Sequence, residues 1–268
     1  MKFLRYTLPF ILAINFAQAS SEYEPLFQRG LEAYLAQKYE VAFSIWLDLA
    51  NKGVVGAQNN VADMYAYGKG VEQNSIEAIR WYKTASDNGL ARAAIQLGNS
   101  YNFGWFTEKS EKQTFHWYLM AAKLGDAMAQ EWVGNMYEEG IGTDKSYKDA
   151  LYWYQKSAAR GDTEGMYSLA YIYATCPIES IRNGEKAVYW AEKAMKNGGF
   201  IGADSYDLLA LSYAEYGEFD TAVEKQLKAI DLFKSGKYLR NSVTNNHMEK
   251  YSKQLELFRK GKAWHEKL

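Results

Sequence analysis

The sequence predicts an all-α fold in which antiparallel helix pairs stack into a solenoid. Two observations predict it: the same residue types return every 36 positions, and the apolar residues within each unit have helical spacing. A single helix pair of this length leaves apolar faces exposed, and stacked copies bury them against one another. The repeating columns are Tyr65, Tyr101, Tyr137 and Tyr173; Trp81, Trp117 and Trp153, with Trp190 one position later; Gly53, Gly89, Gly125 and Gly161; Ala57, Ala93, Ala129 and Gly165; and Val61, Leu97, Val133 and Leu169.

Each unit contains two predicted helices, here named helix A and helix B in chain order. The expected apolar stripe of the first helix A is Ala57, Val61, Met64 and Tyr65, and that of its helix B is Ile76, Ile79, Trp81, Tyr82 and Ala85. Gly68 and Gly70 are expected to end helix A, and Asn88-Gly89 to end helix B, because glycine adopts the left-handed backbone. Small residues follow the aliphatic column at Ala62, Gly98, Gly134 and Ala170, which predicts close approach of a neighbouring helix.

The motifs of these units resemble the Sel1-like repeat, a relative of the tetratricopeptide repeat. They are Ala57-Gln58, Met64-Tyr65, Gly68-x-Gly70-Val71, Trp81-Tyr82 and Asn88-Gly89, and their layout returns from Ala129 to Gly161. The flanking segments resemble tetratricopeptide repeats, through Gly30, Tyr34 and Trp46 before the units and Tyr213, Gly217 and Ala222 after them. The resemblance implies a right-handed superhelical solenoid that binds peptides or proteins on the concave face lined by the A helices.

The expected organisation is a leader, six repeat units and a final helix. Residues 1–19 are a signal peptide, 20–56 a tetratricopeptide-like repeat, 57–92, 93–128 and 129–164 Sel1-like repeats, 165–202 a divergent Sel1-like repeat, 203–233 a tetratricopeptide-like repeat, and 244–260 a capping helix with Thr244 as its N-cap. Two units depart from the pattern. Phe106 stands where Gly70 and Gly142 stand in other units, so its loop is expected to follow a different path. Thr175-Cys176-Pro177 replaces the glycine of the next divergent unit.

The first nineteen residues have the three regions of a secretory signal peptide. Lys2 and Arg5 are positive, residues 6–16 form a short apolar run, and Ala17-Gln18-Ala19 is a typical cleavage site. The alternative is an N-terminal helix of the core. We therefore expect a periplasmic or secreted protein. No later stretch has the roughly 20 apolar residues of a membrane span, so none is expected after removal of the signal.

Composition narrows the classes of partner. The chain has 31 basic and 32 acidic residues, which lacks the basic excess of proteins that bind nucleic acid, so no nucleic-acid partner is expected. Its 22 tyrosines and 8 tryptophans suit both helix packing and binding surfaces. The lone Cys176 allows no intrachain disulfide, and we expect it to be a small buried apolar residue.

The sequence contains no complete set of catalytic or metal-ligating residues. Ser86-Asp87-Asn88 matches one element of the β-lactam-recognising enzymes, but Ser-x-x-Lys and Lys-Thr-Gly are absent, and the tripeptide falls at the end of a helix B. His116, His247 and His265 belong to different elements, without the spacing of a zinc site. No catalytic residue, metal or cofactor is therefore expected, and the chain is not expected to be an enzyme.

The A-helix positions outside the core stripe are the candidates for partner binding. The expected partner-binding residues are Asn60, Asp63, Gln96, Asn99, Trp132, Asn135 and Tyr171, with Phe103, Trp105 and Phe106 at the end of one helix A. Amide side chains donate and accept hydrogen bonds to a peptide backbone, and aromatic rings supply apolar anchors. The alternative is that the polar residues only solvate a groove. The aromatic loop forms an interface or covers a neighbouring repeat, and we favour the latter.

These observations favour an exported adaptor that binds a protein or peptide and regulates an envelope process. The alternative is a cell-wall or glycan-binding assembly factor with peptidoglycan or a polysaccharide as partner, because aromatic faces stack on sugars. A β-lactam hydrolase is the least favoured hypothesis.

Overall fold

The computed structural model describes residues 22–198, 202–235 and 245–266, and the regular structure of these ranges is helical throughout. The predicted signal peptide and the predicted N-cap Thr244 lie outside the described residues. No helix within the described ranges combines the length and apolarity that a bilayer crossing requires.

The chain divides into two compact parts, each larger than one repeat: residues 1–110, from here on called the first unit, and residues 111–268, called the second unit. The helices of the first unit are α1 (Glu24–Leu35), α2 (Tyr39–Asn51), α3 (Val55–Tyr67), α4 (Ser75–Asp87) and α5 (Ala91–Phe103). The second unit contains α6 (Glu111–Lys123), α7 (Ala127–Glu139), α8 (Tyr147–Ala159), α9 (Thr163–Thr175), a 3-10 turn (Glu179–Ile181), α10 (Gly184–Lys196), α11 (Ala203–Tyr216), α12 (Phe219–Lys234) and α13 (Asn245–Arg259). In the second unit, consecutive helices pack as pairs, and α9 also contacts α7 and α11, so the A helices form one layer.

Polar side chains cap the starts of several helices, and left-handed glycines end several A helices, as the sequence predicts for Gly68. Asn74 Oδ1 accepts hydrogen bonds from the backbone N–H groups of Ile76 and Glu77, both at 3.1 Å, and so satisfies two donors that α4 leaves unpaired. Side-chain oxygens cap four further helices in the same way: Asp126, Ser146, Asp162 and Asn183. The C-caps with left-handed backbone are Gly68, Gly104, Gly140 and Gly217.

The core confirms the helix A stripe and corrects the helix B stripe. Ala57, Val61 and Met64 are buried. Ile76, expected in the second stripe, is 78% exposed. The buried face of α4 begins at Ala78, and a residue two positions earlier lies about 200° away around the helix axis. Ile76 therefore lies on the opposite side of α4 from the core.

The aromatic columns are not equally buried. Tyr82, Tyr118 and Tyr154, each of which follows the tryptophan of its helix B, are at most 2% exposed. Trp81 and Trp117 are also buried, whereas Trp153 is half-buried. In the A column, Tyr173 is buried and the other three tyrosines are half-buried. Two members of that column nevertheless make equivalent edge-on contacts: Tyr65 with Phe43 at 5.2 Å, and Tyr137 with Phe115 at 5.1 Å.

The small column marks a close approach, as predicted. A Cβ placed on Gly134 would lie 2.4 Å from Cε1 of Tyr154, so glycine makes room for the buried ring of helix B. The Gly-x-Gly loops make a second close approach, to the backbone at the start of the preceding helix B. A Cβ on Gly70 would lie 2.2 Å from the carbonyl carbon of Tyr39, and one on Gly142 would lie 2.2 Å from the carbonyl oxygen of Glu111.

Candidate partner-binding surfaces

The candidate partner-binding residues on α3, the first helix A of the Sel1-like repeats, are buried. Asp63 and Asn60 are each 6% exposed. They therefore do not line an open groove, contrary to the prediction from the sequence. Asp63 Oδ1 accepts the hydroxyl hydrogen of Tyr82 at 2.5 Å, and Asp63 Oδ2 accepts from Asn59 Nδ2 at 3.1 Å. Tyr82 lies on the helix B of the same repeat, nineteen residues further on. The carboxylate therefore joins two helices instead of facing solvent.

Burial sets the protonation of this pair. Desolvation raises the pKa of Asp63 to about 6, although hydrogen bonds from Tyr82, Gln96 and Asn59 and the charge of Arg92 oppose the rise. Desolvation and the neighbouring carboxylate raise the pKa of Tyr82 well above its usual value. Near neutral pH the phenol is therefore neutral and acts as the donor.

The second unit contains the same kind of hydrogen bond between helix A and helix B, at the same sequence spacing. The hydroxyl of Tyr154 lies 2.7 Å from Oδ1 of Asn135 and 2.5 Å from Oε2 of Glu138. Gln226 Nε2 donates to Asp207 Oδ1 at 3.0 Å, again across nineteen residues. The column expected to bind a partner thus contains residues that join helix A to helix B within a repeat. The recurring offset of nineteen was the signal in the sequence that could have revealed it.

The strip on α5 is more open. Gln96, Asn99 and Phe103 follow one another at i, i+3 and i+7, so they share one face of the helix. Gln96 and Asn99 are half-buried, and Phe103 is 37% exposed. The ring of Phe103 stacks on that of Trp105, which is 50% exposed, with centroids 5.1 Å apart and planes 21° apart. Two stacked rings therefore stand at the end of α5, partly open to solvent.

Phe106 has a different place in the same loop. Its half-buried ring stacks on Tyr82, with centroids 6.3 Å apart and planes 15° apart. The loop therefore divides: Phe106 covers a core residue of the preceding repeat, whereas Phe103 and Trp105 stay exposed. The backbone at Phe106 lacks the positive φ of Gly70 and Gly142, as the missing glycine predicts, but the hydrogen bond that closes the loop, from the Ser110 N–H to the Tyr101 carbonyl, is the same as in the other loops.

The candidate residues in the second unit are half-buried. Trp132 packs against Tyr118 with ring centroids 4.9 Å apart, and Asn135 accepts the hydrogen bond described above. Tyr171 is covered by the chain itself: its hydroxyl donates to Oε1 of Glu266 at 2.8 Å, and the ammonium of Lys250 lies 5.6 Å from its ring centroid. A segment from the C-terminal end of the described chain thus contacts a residue predicted to bind a partner.

That segment, residues 262–266, is here named the C-terminal strap. Gly261, with φ of 66°, follows α13, and the N–H of Lys262 donates to the carbonyl of Leu257, which reverses the chain. The strap then passes back over α9, where the Glu266 N–H donates to the Thr175 carbonyl at 2.8 Å. The strap was not predicted from the sequence, in which Gly261 after the last helix is its signal.

The residues considered for chemistry are dispersed. Within the described ranges, no three histidine, cysteine or acidic side chains come together as a metal site. Cys176 is 2% exposed, and burial raises the pKa of its thiol. Ser86 is buried at the end of α4, and Asn88 donates to Gln58 Oε1 at 3.0 Å, so this tripeptide serves the helix end.

The fold defines a helical-repeat solenoid, a class built for interaction surfaces. The Sel1 repeat family matches residues 55–90, 91–126, 127–162 and 163–199, more than half of the chain, and the chain belongs to this family. Sel1 repeats are general protein-interaction scaffolds, and the family is generally non-enzymatic.

Two solved structures share this fold. A Sel1 repeat protein from Oxalobacter formigenes is 28% identical with a TM-score of 0.61, over 84% of this chain and 97% of that one. The protein c5321, a protective antigen of uropathogenic Escherichia coli strains with an SLR fold, is 28% identical with a TM-score of 0.59, over 78% of this chain and 45% of that one.

One curated relative matches a short part of the chain. An exopolysaccharide production negative regulator from Rhizobium meliloti (strain 1021) is 35% identical over 65 residues, which is 24% of this chain and 24% of the relative. The match thus spans about a quarter of the relative's length.

Proposed function

We propose that this chain is an exported scaffold that binds a protein or peptide partner through its A helices and thereby regulates an envelope process. Membership of a family of interaction scaffolds supports the general role. The leader-like residues 1–19 support export. The name of the Rhizobium meliloti relative supports regulation at the cell envelope.

The single observation that carries the binding proposal is the exposed aromatic pair Phe103 and Trp105. The two rings are stacked at 5.1 Å and remain partly open to solvent. Stacking holds both rings in place before a partner arrives, so binding costs little additional side-chain entropy. Aromatic residues that become buried against a partner are typical binding hot spots. Gln96 and Asn99 supply polar neighbours on the same helix as Phe103.

In-cell photocrosslinking tests this proposal. A photoreactive amino acid at position 99, on the α5 strip, is expected to capture one partner reproducibly. Changing Phe103→Ala and Trp105→Ala in that background should reduce capture at least about tenfold, because each hot-spot truncation costs roughly 2 kcal/mol or more.

The matched control changes two equally exposed tyrosines on B helices, Tyr152→Ala and Tyr189→Ala. Capture should be unchanged in this control. Equal capture by wild type and by the Phe103/Trp105 variant would show that the partner binds elsewhere. Fractionation of cells that express the chain with and without residues 1–19 tests export separately.

Glycan binding is the second candidate, and the same aromatic pair favours it together with the name of the curated relative. Co-sedimentation with peptidoglycan and affinity electrophoresis in acidic exopolysaccharide test it, again with the Tyr152/Tyr189 variant as control. Retention that depends on Phe103 and Trp105 would favour a glycan partner over a protein. A chromogenic β-lactam assay tests the least favoured hypothesis, and we expect no turnover.

A further inference from the structure

The C-terminal strap is held by two polar contacts to α9 and one to α11. The Glu266 N–H donates to the Thr175 carbonyl at 2.8 Å, and the Glu266 carboxylate accepts from the Tyr171 hydroxyl at 2.8 Å. His265 Nε2 lies 2.7 Å from Oε2 of Glu215 on α11. Backbone and side chain both take part, as in the binding of an extended peptide.

The surface beneath the strap owes its shape to the divergent end of α9. The A helices α3, α5, α7 and α11 end at a left-handed glycine, whereas α9 ends at Cys176 with an extended backbone and Pro177 follows. A helix leaves its last carbonyls without partners inside the helix, and the Thr175 carbonyl is one of these. The strap supplies its donor. The departure from the repeat pattern and the strap therefore meet at the same atoms.

Packing and charge complete the surface. Ala263 and Trp264 pack against the apolar cluster of the second unit, which includes Leu211 and Phe258. Glu215 accepts from Arg182 Nε at 3.1 Å as well as facing His265, so a carboxylate lies beside the middle of the strap. The surface thus takes an aromatic residue followed, two positions later, by an acidic one.

The strap covers this surface without being buried in it. Ala263, Trp264 and Glu266 are half-buried, and His265 is exposed. Its retention depends on being tethered, because a short linker gives a bound segment an effective concentration in the millimolar range. An external segment with the same chemistry, presented at high local concentration by a partner, competes for the same contacts.

We propose that residues 262–266 are a displaceable internal ligand, and that the surface of α9 and α11 beneath them binds an extended peptide with an aromatic residue followed two positions later by an acidic residue. This inference rests on the proposed function and names the peptide chemistry that one of its surfaces accepts. The strap then sets a threshold for binding, because a partner must displace it before it reaches Tyr171.

A peptide supplied in trans tests the inference on the full chain. The probe is a fluorescein-labelled peptide with the sequence of residues 260–266, blocked at both ends, and binding is measured by anisotropy. The release variant Trp264→Ala/Glu266→Gln frees the surface, and the milder His265→Ala/Glu266→Gln variant retains the tryptophan. Circular dichroism and thermal melts establish that each variant is folded.

The peptide is expected to bind a release variant at least about tenfold more tightly than it binds wild type, in which the tethered strap competes. Adding Tyr171→Phe to the release variant should weaken binding about tenfold or more, because a hydrogen bond to a carboxylate is lost. Tyr189→Phe, an exposed phenol in the same unit, should have no effect. A peptide carrying the Trp→Ala and Glu→Gln changes should not bind.

Equal affinity for wild type and release variants would overturn the inference. Loss of folding in both release variants would also overturn it, because the strap would then be part of the core. If the peptide fails while crosslinking at position 99 still captures its partner, the inference fails and the proposed function stands.

Discussion

Tyr82 donates its hydroxyl hydrogen to Asp63 across 2.5 Å, and both residues are buried between the two helices of one repeat. Seventy-two residues further on, the Tyr154 hydroxyl lies 2.7 Å from Oδ1 of Asn135, the residue equivalent to Asp63, and 2.5 Å from a carboxylate oxygen of Glu138. In both repeats a carboxylate thus lies beside the buried phenol. At Asp63 the burial of that carboxylate makes the stability of the fold depend on pH.

We expect Asp63→Asn to stabilise the protein at neutral pH. The folded-state pKa of Asp63, about 6, is above its ordinary value of 3.8, so folding disfavours the ionised form. Two pKa units correspond to about 3 kcal/mol. Asparagine keeps the acceptor for Tyr82, as Asn135 does for Tyr154. The free energy of unfolding at pH 7 should rise by up to about 3 kcal/mol, measured by urea denaturation.

The pH dependence gives this prediction its sign. Between about pH 4 and pH 6 the folded state holds a proton on Asp63 that the unfolded state has lost, so the stability of wild type falls as pH rises through this window. The Asp63→Asn variant should show a shallower fall, and near pH 4 its stability should equal that of wild type. The exposed Asp48→Asn is the matched control. A variant less stable than wild type at pH 7 would contradict the explanation.

We expect Gly70→Ala to be more damaging than Gly89→Ala. Both glycines have positive φ, 70° and 92°, so both substitutions strain the backbone by about 1–2 kcal/mol. Only at Gly70 would the new methyl group also collide with backbone atoms, those of Tyr39, whereas no atom lies within 4 Å at Gly89. Overpacking adds about 1–3 kcal/mol. Thermal and chemical denaturation should therefore separate the two variants by at least about 1 kcal/mol.

The aromatic loop should separate into structural and exposed residues. Phe106→Ala removes the ring stacked on Tyr82 and should lower the free energy of unfolding by about 1–2 kcal/mol. Trp105→Ala removes a ring that is half open to solvent and should change stability by about 0.5 kcal/mol or less. Equal losses in the two variants would show that the Phe103–Trp105 stack supports the fold.

The thiol of Cys176 should be unreactive in the folded protein. The residue is buried, and burial raises the pKa of the thiol, so little reactive thiolate forms near pH 8. An aromatic disulfide reagent should label it slowly in buffer and at the rate of a free thiol in guanidinium chloride. Rapid labelling under native conditions would indicate that the turn after α9 opens.

The fold could be predicted from the sequence because the same residues that form and end the helices recur in each repeat. Period, helical spacing and glycine stops at Gly68 and Gly140 depend on local chemistry, which the sequence displays directly. Ile76 was misplaced because an apolar residue in the first turn of a helix fits the composition of a stripe without lying on its face.

The candidate site was less predictable because it depends on which neighbour a polar side chain meets. Asp63 and Asn135 are polar residues of types that usually lie at the surface. Here each is hydrogen-bonded to a tyrosine nineteen residues further on, between helix A and helix B. The contact between Tyr171 and Glu266 spans 95 residues, and no local pattern encodes it. For the aromatic loop the sequence favoured a cover over the neighbouring repeat, which the structure shows for Phe106 but not for the exposed rings of Phe103 and Trp105.

The glycine loops also bear on how such a chain can grow. The nearest neighbours of a Cβ at Gly70 or Gly142 would be main-chain atoms of the preceding repeat, which every residue type supplies. This loop contact therefore needs no particular side chain in the predecessor, whereas the contacts of Tyr65 with Phe43 and of Tyr137 with Phe115 do. The loop that carries Phe106 also depends on a side chain of the preceding repeat, the ring of Tyr82. Duplication of a repeat thus meets its constraints at these ring contacts and not at the glycine loop.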